Sequence, residues 1–303
     1  MRVGLIDADN LHRGKITFPN LPLMKLSAWH KVQGDSVEWW YPPSQYDIVY
    51  ESKVFPATPE PPEYILADKI IKGGTGYDLK NILQSEIEHG MPDYTLYPEF
   101  KQAYGFLTRG CPRNCPFCIV TRKEGCETVK VADLTEFWQK GIHKEIKLLD
   151  PNLLSCREHE ELLQQLVDSR AWVDFTQGLD IRLVTPRNIE LIKQIKIKQI
   201  HFAWDNPREN LLDMFREFKE LSGIADRRKT AVYVLTNFNS STEEDLRRIY
   251  ALREADYWPY VMIYDKANAP LVTRRMQRWV NNRFIFERCK TFEEYQKEVR
   301  ENE

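Results

Sequence analysis

The chain has 303 residues, and its 43 Lys and Arg against 45 Asp and Glu leave a formal charge of −2. Near-neutrality excludes a polyanion binder held by overall charge. With no apolar run approaching the ~20 residues of a membrane span and no basic-then-apolar leader, the sequence predicts a soluble, cytoplasmic protein with no membrane partner. Six cysteines would make three disulfides in a secreted protein, but three of them fall within residues 111–118, a placing that suits metal ligation in a reducing compartment.

In chain order, an apolar strand at Val3–Ile6 comes first. Asn20-Leu21-Pro22 then starts a helix whose apolar positions Leu21, Met24, Ala28 and Val32 recur at helical spacing up to Gly34. Strands follow at Ser36–Trp40, Ile48–Tyr50 and Lys69–Lys72, and Gly73-Gly74-Thr75-Gly76 makes a glycine-rich turn after the last. Residues 1–98 are therefore predicted to be a small open α/β cap domain. The proline-rich stretch Pro56–Pro62 reads as a surface loop.

Directly after a predicted strand at Ala103–Thr108 comes Gly110-Cys111-Pro112-Arg113-Asn114-Cys115-Pro116-Phe117-Cys118. Three thiolates at this spacing on one short loop hold three irons of a four-iron, four-sulfur (4Fe-4S) cluster and leave the fourth iron without a protein ligand. A closed zinc site wants a fourth ligand at short spacing, and only Cys126 follows nearby. The loop resembles the signature of the radical S-adenosylmethionine superfamily, including the aromatic Phe117 before the third cysteine and the turning Gly110. The resemblance implies that S-adenosylmethionine chelates the open iron and that one electron, from a reductant such as flavodoxin or ferredoxin, cleaves it to a 5′-deoxyadenosyl radical.

From residue 99 to 303 apolar strands alternate with amphipathic helices. After Ala103–Thr108 the strands are Ile146–Leu149, Val173–Thr176, Ile200–Ala203, Ala231–Leu235 and Tyr260–Ile263. Helices are predicted at Leu134–Gln139, Glu158–Ser169, Pro186–Ile195, Leu211–Leu221 and Thr242–Glu254, with a helical extension beyond the last strand. The predicted fold class is α/β: a partial (β/α)6 TIM-like barrel preceded by the cap. Chemistry in such barrels gathers where strands end. Those ends carry Asp150 and Asn152, then Gln177, Asp180 and Arg182, then Asp205, Asn237 and Asp265. Relatives in the superfamily close the second strand with a Gly-Gly-Glu-like turn that holds the cofactor's amino group, and Leu149-Asp150-Pro151-Asn152 stands in that place here. Asp150 or Asn152 is then the candidate acceptor for that ammonium, and Arg182 the candidate partner of the carboxylate. Phe117, Gln177, Asp180, Asp205 and Asn237 complete the candidate cofactor ring.

The cap resembles a degenerate cobalamin-binding unit. Asn10-Leu11-His12-Arg13-Gly14-Lys15 stands where Asp-x-His-x-x-Gly is expected, with Asn for the acid and the glycine one place early. Asp9, His12, Asp205 and Asp265 are candidate substrate contacts. The primary expectation is a radical enzyme acting on a small polar metabolite. Phe18-Pro19-Asn20-Leu21, Lys72-Gly73-Gly74-Thr75-Gly76-Tyr77, Leu148-Leu149-Asp150-Pro151-Asn152 and Phe175-Thr176-Gln177-Gly178 resemble queuine lyases, which release an aminomethyl-deazaguanine from queuine. Two alternatives stand beside it. One is modification of transfer RNA or another macromolecule, motivated by the basic stretch 266–290 with Lys266, Arg274, Arg275, Arg278, Arg283, Arg288 and Lys290. The other is a non-enzymatic iron–sulfur protein.

Overall fold

The computed structural model describes residues 1–11, 18–61 and 64–301. It divides into two compact units, Met1–Gly105 with Ala132–Glu145, and Phe106–Val131 with Ile146–Glu303.

The first unit holds a four-stranded sheet of β1 (Arg2–Asp7), β2 (Ser36–Trp39), β3 (Tyr46–Ser52) and β4 (Ala67–Gly73), in the order β2-β1-β3-β4. All its pairs are parallel. Alternation along the strands sorts their two faces. Val3 and Leu5, with Ile48 and Tyr50 beside them, pack on Leu23 and Leu26 of helix α1 (Leu21–Val32). Ile6, Tyr46 and Val49 make a second cluster. The side chain of Asn20 caps α1 by accepting from the Leu23 N–H at 3.2 Å. At the end of β4, Gly74 has φ +94°, and a Cβ there would lie 2.4 Å from the Lys53 carbonyl oxygen, so this turn requires glycine.

Ala132–Glu145 groups with the first unit because the Tyr94 hydroxyl donates to the Phe137 carbonyl at 2.6 Å and His89 meets Glu136 at 2.7 Å. Phe137 also closes on the backbone of Gly105. The helix expected over Leu134–Gln139 is only a single turn at Leu134–Glu136.

The second unit is built on strands that follow one another in space as in sequence. These are β5 (Glu145–Leu148), β6 (Trp172–Phe175), β7 (Lys196–Ala203), β8 (Thr230–Thr236) and β9 (Trp258–Ile263), ordered β9-β8-β7-β6-β5. The pairs β6–β7, β7–β8 and β8–β9 are parallel. Between strands lie α2 (His159–Ser169), α3 (Pro186–Gln194), α4 (Leu212–Ser222) and α5 (Thr242–Glu254), as a helix-per-crossover winding demands. Phe202 of β7 meets Phe215 and Phe218 of α4 edge to face, with centroids 5.9 and 5.0 Å apart. The helical extension comprises α6 (Leu271–Asn281), α7 (Arg283–Arg288) and α8 (Phe292–Glu301), gathered around the fully buried Trp279.

The strand expected to open the barrel departs from expectation. Ala103–Thr108 is not one strand but Ala103–Gly105 and a separate Thr108–Arg109, the latter antiparallel to Val129–Lys130. The Leu107 and Thr108 N–H groups turn instead to a side chain, the carboxylate of Asp150. Among the described residues no helix is long and apolar enough to cross a membrane.

Candidate iron–sulfur centre

The cysteine loop springs from a clasp. Thr108–Arg109 and Val129–Lys130 pair at its two ends, the Cys111 N–H donates to the Gly125 carbonyl at 3.2 Å, and the Thr128 hydroxyl donates to the Gly110 carbonyl at 3.1 Å. Gly110 is obligatory: its φ is +85°, and a Cβ there would fall 2.0 Å from the Glu127 carbonyl oxygen. Asn114 takes a left-handed turn at φ 45°, and the Cys118 N–H closes back on the Cys115 carbonyl at 2.9 Å. All three thiols are free and half-exposed. Burial pushes the Cys115 thiol up, with Asp205 and the two neighbouring cysteines adding to the shift and Arg113 opposing it.

Among the described residues no three His, Cys, Asp or Glu side chains gather around one metal ion. Three thiolates are a donor set that suits a 4Fe-4S cubane, in which each binds a different iron. The set fits such a cluster in a second respect. Asn152, 3 % exposed, points its Nδ2 at the Cys111 Sγ across 3.6 Å, while its Oδ1 is buried with no hydrogen-bond partner among the described residues. N–H groups aimed at sulfur are a usual means of stabilising cluster thiolates.

Asp150 and Asn152, which the sequence left as alternatives, have separate roles. The Asp150 carboxylate accepts from the Leu107 N–H at 3.2 Å, the Thr108 N–H at 2.5 Å and the Thr108 hydroxyl at 2.6 Å. It latches the end of β5 to the chain entering the cysteine loop. Burial pushes its pKa up to about 6, and the hydrogen bonds partly offset that.

Arg182 and Asp180 sit in an ion-pair network with two residues that sequence reasoning missed. Arg182 Nε donates to Asp180 Oδ1 at 2.7 Å, and its Nη1 donates to Glu209. Arg113, from within the cysteine loop, reaches Glu209 at 3.3 Å and Asp180 at 3.8 Å. Arg113 thereby joins the loop to the chain following β6 and β7. Its position between Cys111 and Cys115 was the available signal; Glu209 offered none.

Asp205 is half-buried, and desolvation raises its pKa to about 6, against the pull of Arg248. Arg248, fully buried and also missed, donates to the Trp204, Asp205 and Leu235 carbonyls and to Asp245. Asn237, at φ 61°, donates from Nδ2 to the Tyr264 carbonyl at 2.9 Å. Phe117 stands edge to face with Phe238 at 5.2 Å, and Phe238 with Tyr264 at 4.8 Å. Gln177 is exposed. Asp265, also exposed, accepts from Asn268 at 2.9 Å within its own turn.

In the first unit the Asp9 carboxylate accepts from the Val54 and Phe55 N–H groups and the Thr58 hydroxyl, which engages it in fixing that loop. His12 lies outside the described residues, as does the motif from His12 to Lys15; Asn10 donates to Asp7 at 2.6 Å.

No family model matches the chain. Among curated proteins it is similar to the tRNA-2-methylthio-N(6)-dimethylallyladenosine synthases of Flavobacterium psychrophilum and Christiangramia forsetii. Identity to the first is 25 % over 48 % of this chain and 33 % of the relative. To the second it is 23 % over 62 % of this chain and 41 % of the relative. The chain thus spans between a third and about two-fifths of the length of these relatives. Among solved structures, the radical S-adenosylmethionine methyltransferase TsrM from Kitasatospora setae, with cobalamin and a 4Fe-4S cluster bound, shares its fold. The TM-score is 0.63 at 12 % identity, covering 86 % of this chain and 74 % of that one. A second TsrM structure, with tryptophan and a cofactor analogue, gives 0.62. The mixed α/β fold with parallel sheets is thus shared with TsrM, and the sequence likeness is to the two synthases.

Proposed function

We propose that this protein is a radical S-adenosylmethionine enzyme that modifies transfer RNA, with a 4Fe-4S cluster on Cys111, Cys115 and Cys118 and β5 to β9 as the wall of a partial barrel. The observation that carries the reading is the pairing of Asn152 with Cys111 beside the three-cysteine loop. It unites the cluster donors with an unpartnered acceptor at a strand end, where the cofactor's ammonium is to be bound. When bound, the cluster supplies the single electron that cleaves the cofactor, and a reductant such as flavodoxin or ferredoxin supplies it to the cluster. Asn152 Oδ1 would accept from the ammonium. Arg182 would pair with the carboxylate on releasing Glu209, which Arg113 and Asn206 also hold. Phe117, Phe238 and Tyr264 offer an aromatic ledge to the adenine. Asp150 keeps the loop in register and touches no ligand.

The choice of RNA over a small metabolite rests on the synthases, whose names place their chemistry on tRNA. The narrower resemblance to queuine lyases has no counterpart in these relatives, which are synthases and a methyltransferase. The test incubates anaerobically reconstituted protein, reductant and S-adenosylmethionine with bulk unmodified transfer RNA and, separately, with free queuine. A new nucleoside mass in digested RNA, with 5′-deoxyadenosine or S-adenosylhomocysteine formed alongside, is the expected result. Aminomethyl-deazaguanine released from the free base alone would replace this reading with the lyase.

A further inference from the structure

At the opposite ends of the strands from the cysteine loop, a groove of 770 Å³ opens where the chain enters β8 and β9. It is lined by four guanidinium groups, those of Arg227, Arg228, Arg283 and Arg288, against the carboxylates of Asp226 and Glu287. The first residue of β9, Trp258, lies between Arg227 and Arg283, whose guanidinium carbons stand 5.4 and 5.2 Å from its ring centroid. Arg227 is held by Glu287, Arg228 by Asp226 and Arg288 by Glu298. Arg283 pairs with no carboxylate among the described residues. Next to it Phe284 is 89 % exposed, which forfeits the burial that a helix-borne phenylalanine ordinarily gains. The pattern continues along the strand edge, where Lys229 lies 5.5 Å from the ring of the half-exposed Trp172.

Fixed guanidinium planes, one arginine with no carboxylate partner among the described residues and a protruding aromatic ring are the parts that bind an unpaired nucleic-acid strand. Arginine takes the phosphates, and a flat apolar side chain takes a splayed base. We propose that this groove anchors a single-stranded stretch of the RNA substrate at a distance from the reacting base. The inference rests on the RNA reading above and adds to it a second contact point. β9 spans six residues, so at ~3.3 Å per residue the groove lies roughly 20 Å along the strands from the chemistry. A stem-loop covers that distance and a free nucleobase does not.

The experiment uses the reconstituted full chain, a fluorescently labelled transfer RNA transcript and the variants Arg283→Glu and Phe284→Ala, neither of which breaks an ion pair among the described residues. Together they are expected to weaken RNA binding about tenfold or more, and Arg283→Glu to flatten the dependence of log affinity on log salt by about 1. Cluster absorption and RNA-independent cleavage of S-adenosylmethionine are expected to stay at the wild-type level. If wild type and both variants bind and modify the RNA equally, the anchoring proposal is overturned and the RNA reading stands. If wild type binds no RNA and turns over only a small substrate, both fall. Tighter binding of a polyglutamate peptide than of the transcript at this groove would make it a protein-docking surface and overturn the proposal.

Discussion

Asn152 donates to the sulfur of Cys111 across 3.6 Å with one end of its amide and leaves the other end buried and, among the described residues, unpartnered. One residue thereby touches both a proposed cluster ligand and the place proposed for the cofactor. Asn152→Ala removes both contacts. It is expected to lower the cluster's reduction potential, since a hydrogen bond to sulfur favours the reduced state, and to weaken cofactor binding several-fold at unchanged iron content. Spectroelectrochemical titration and a binding isotherm read the two effects. An unchanged potential would mean the amide does not face a ligand sulfur.

Arg182→Lys keeps the charge and loses the fork that spans Asp180 and Glu209. We expect weaker S-adenosylmethionine binding, about tenfold, with the cluster spectrum intact. Titration showing wild-type affinity would take Arg182 out of the cofactor site.

Arg113→Ala detaches the cysteine loop from Glu209 and Asp180. Cluster loss on air exposure should then be faster than in wild type, with assembly under anaerobic conditions preserved. Bleaching of the charge-transfer band over time measures it, and identical decay curves would mean the network does not steady the loop.

Asp150 gives a pH prediction. Its folded pKa of about 6 exceeds the ordinary 3.8, so between those values the unfolded chain has lost a proton that the native carboxyl retains. Stability from this group is complete below about pH 4 and is lost as pH rises to about 6, with little further change above. Asp205, also raised to about 6, contributes a fall over the same range, so urea unfolding of the cluster-free protein should show a steeper fall in wild type than in Asp150→Asn. Parallel pH profiles for the two would contradict the raised pKa.

What the sequence revealed and what it hid follow a physical division. The turn at Gly110 into the cysteine loop was legible because the residues that mark it are local, and β7 and β8 because apolar runs bounded by turns are local too. Arg182 was singled out, but not its partner: Glu209 lies 27 residues on, and nothing nearby selects it among 45 acidic residues. The break in Ala103–Thr108 was hidden for the same reason, since its cause is a carboxylate more than 40 residues away. Leu134–Gln139 had helical spacing but no partner for a long helix, and packing overrode propensity.

The central claim is that Cys111, Cys115 and Cys118, and no other cysteines, hold one 4Fe-4S cluster that cleaves S-adenosylmethionine. The most direct measurement is iron and sulfide content together with 5′-deoxyadenosine or S-adenosylhomocysteine formation after anaerobic reconstitution. It compares wild type, Cys115→Ala and the triple variant Cys126→Ala, Cys156→Ala, Cys289→Ala. The account predicts about four iron and four sulfide per chain with cofactor cleavage in wild type and the triple variant, and loss of cleavage in Cys115→Ala. Halved iron in the triple variant, cleavage surviving in Cys115→Ala, or a single zinc per chain in wild type would contradict it.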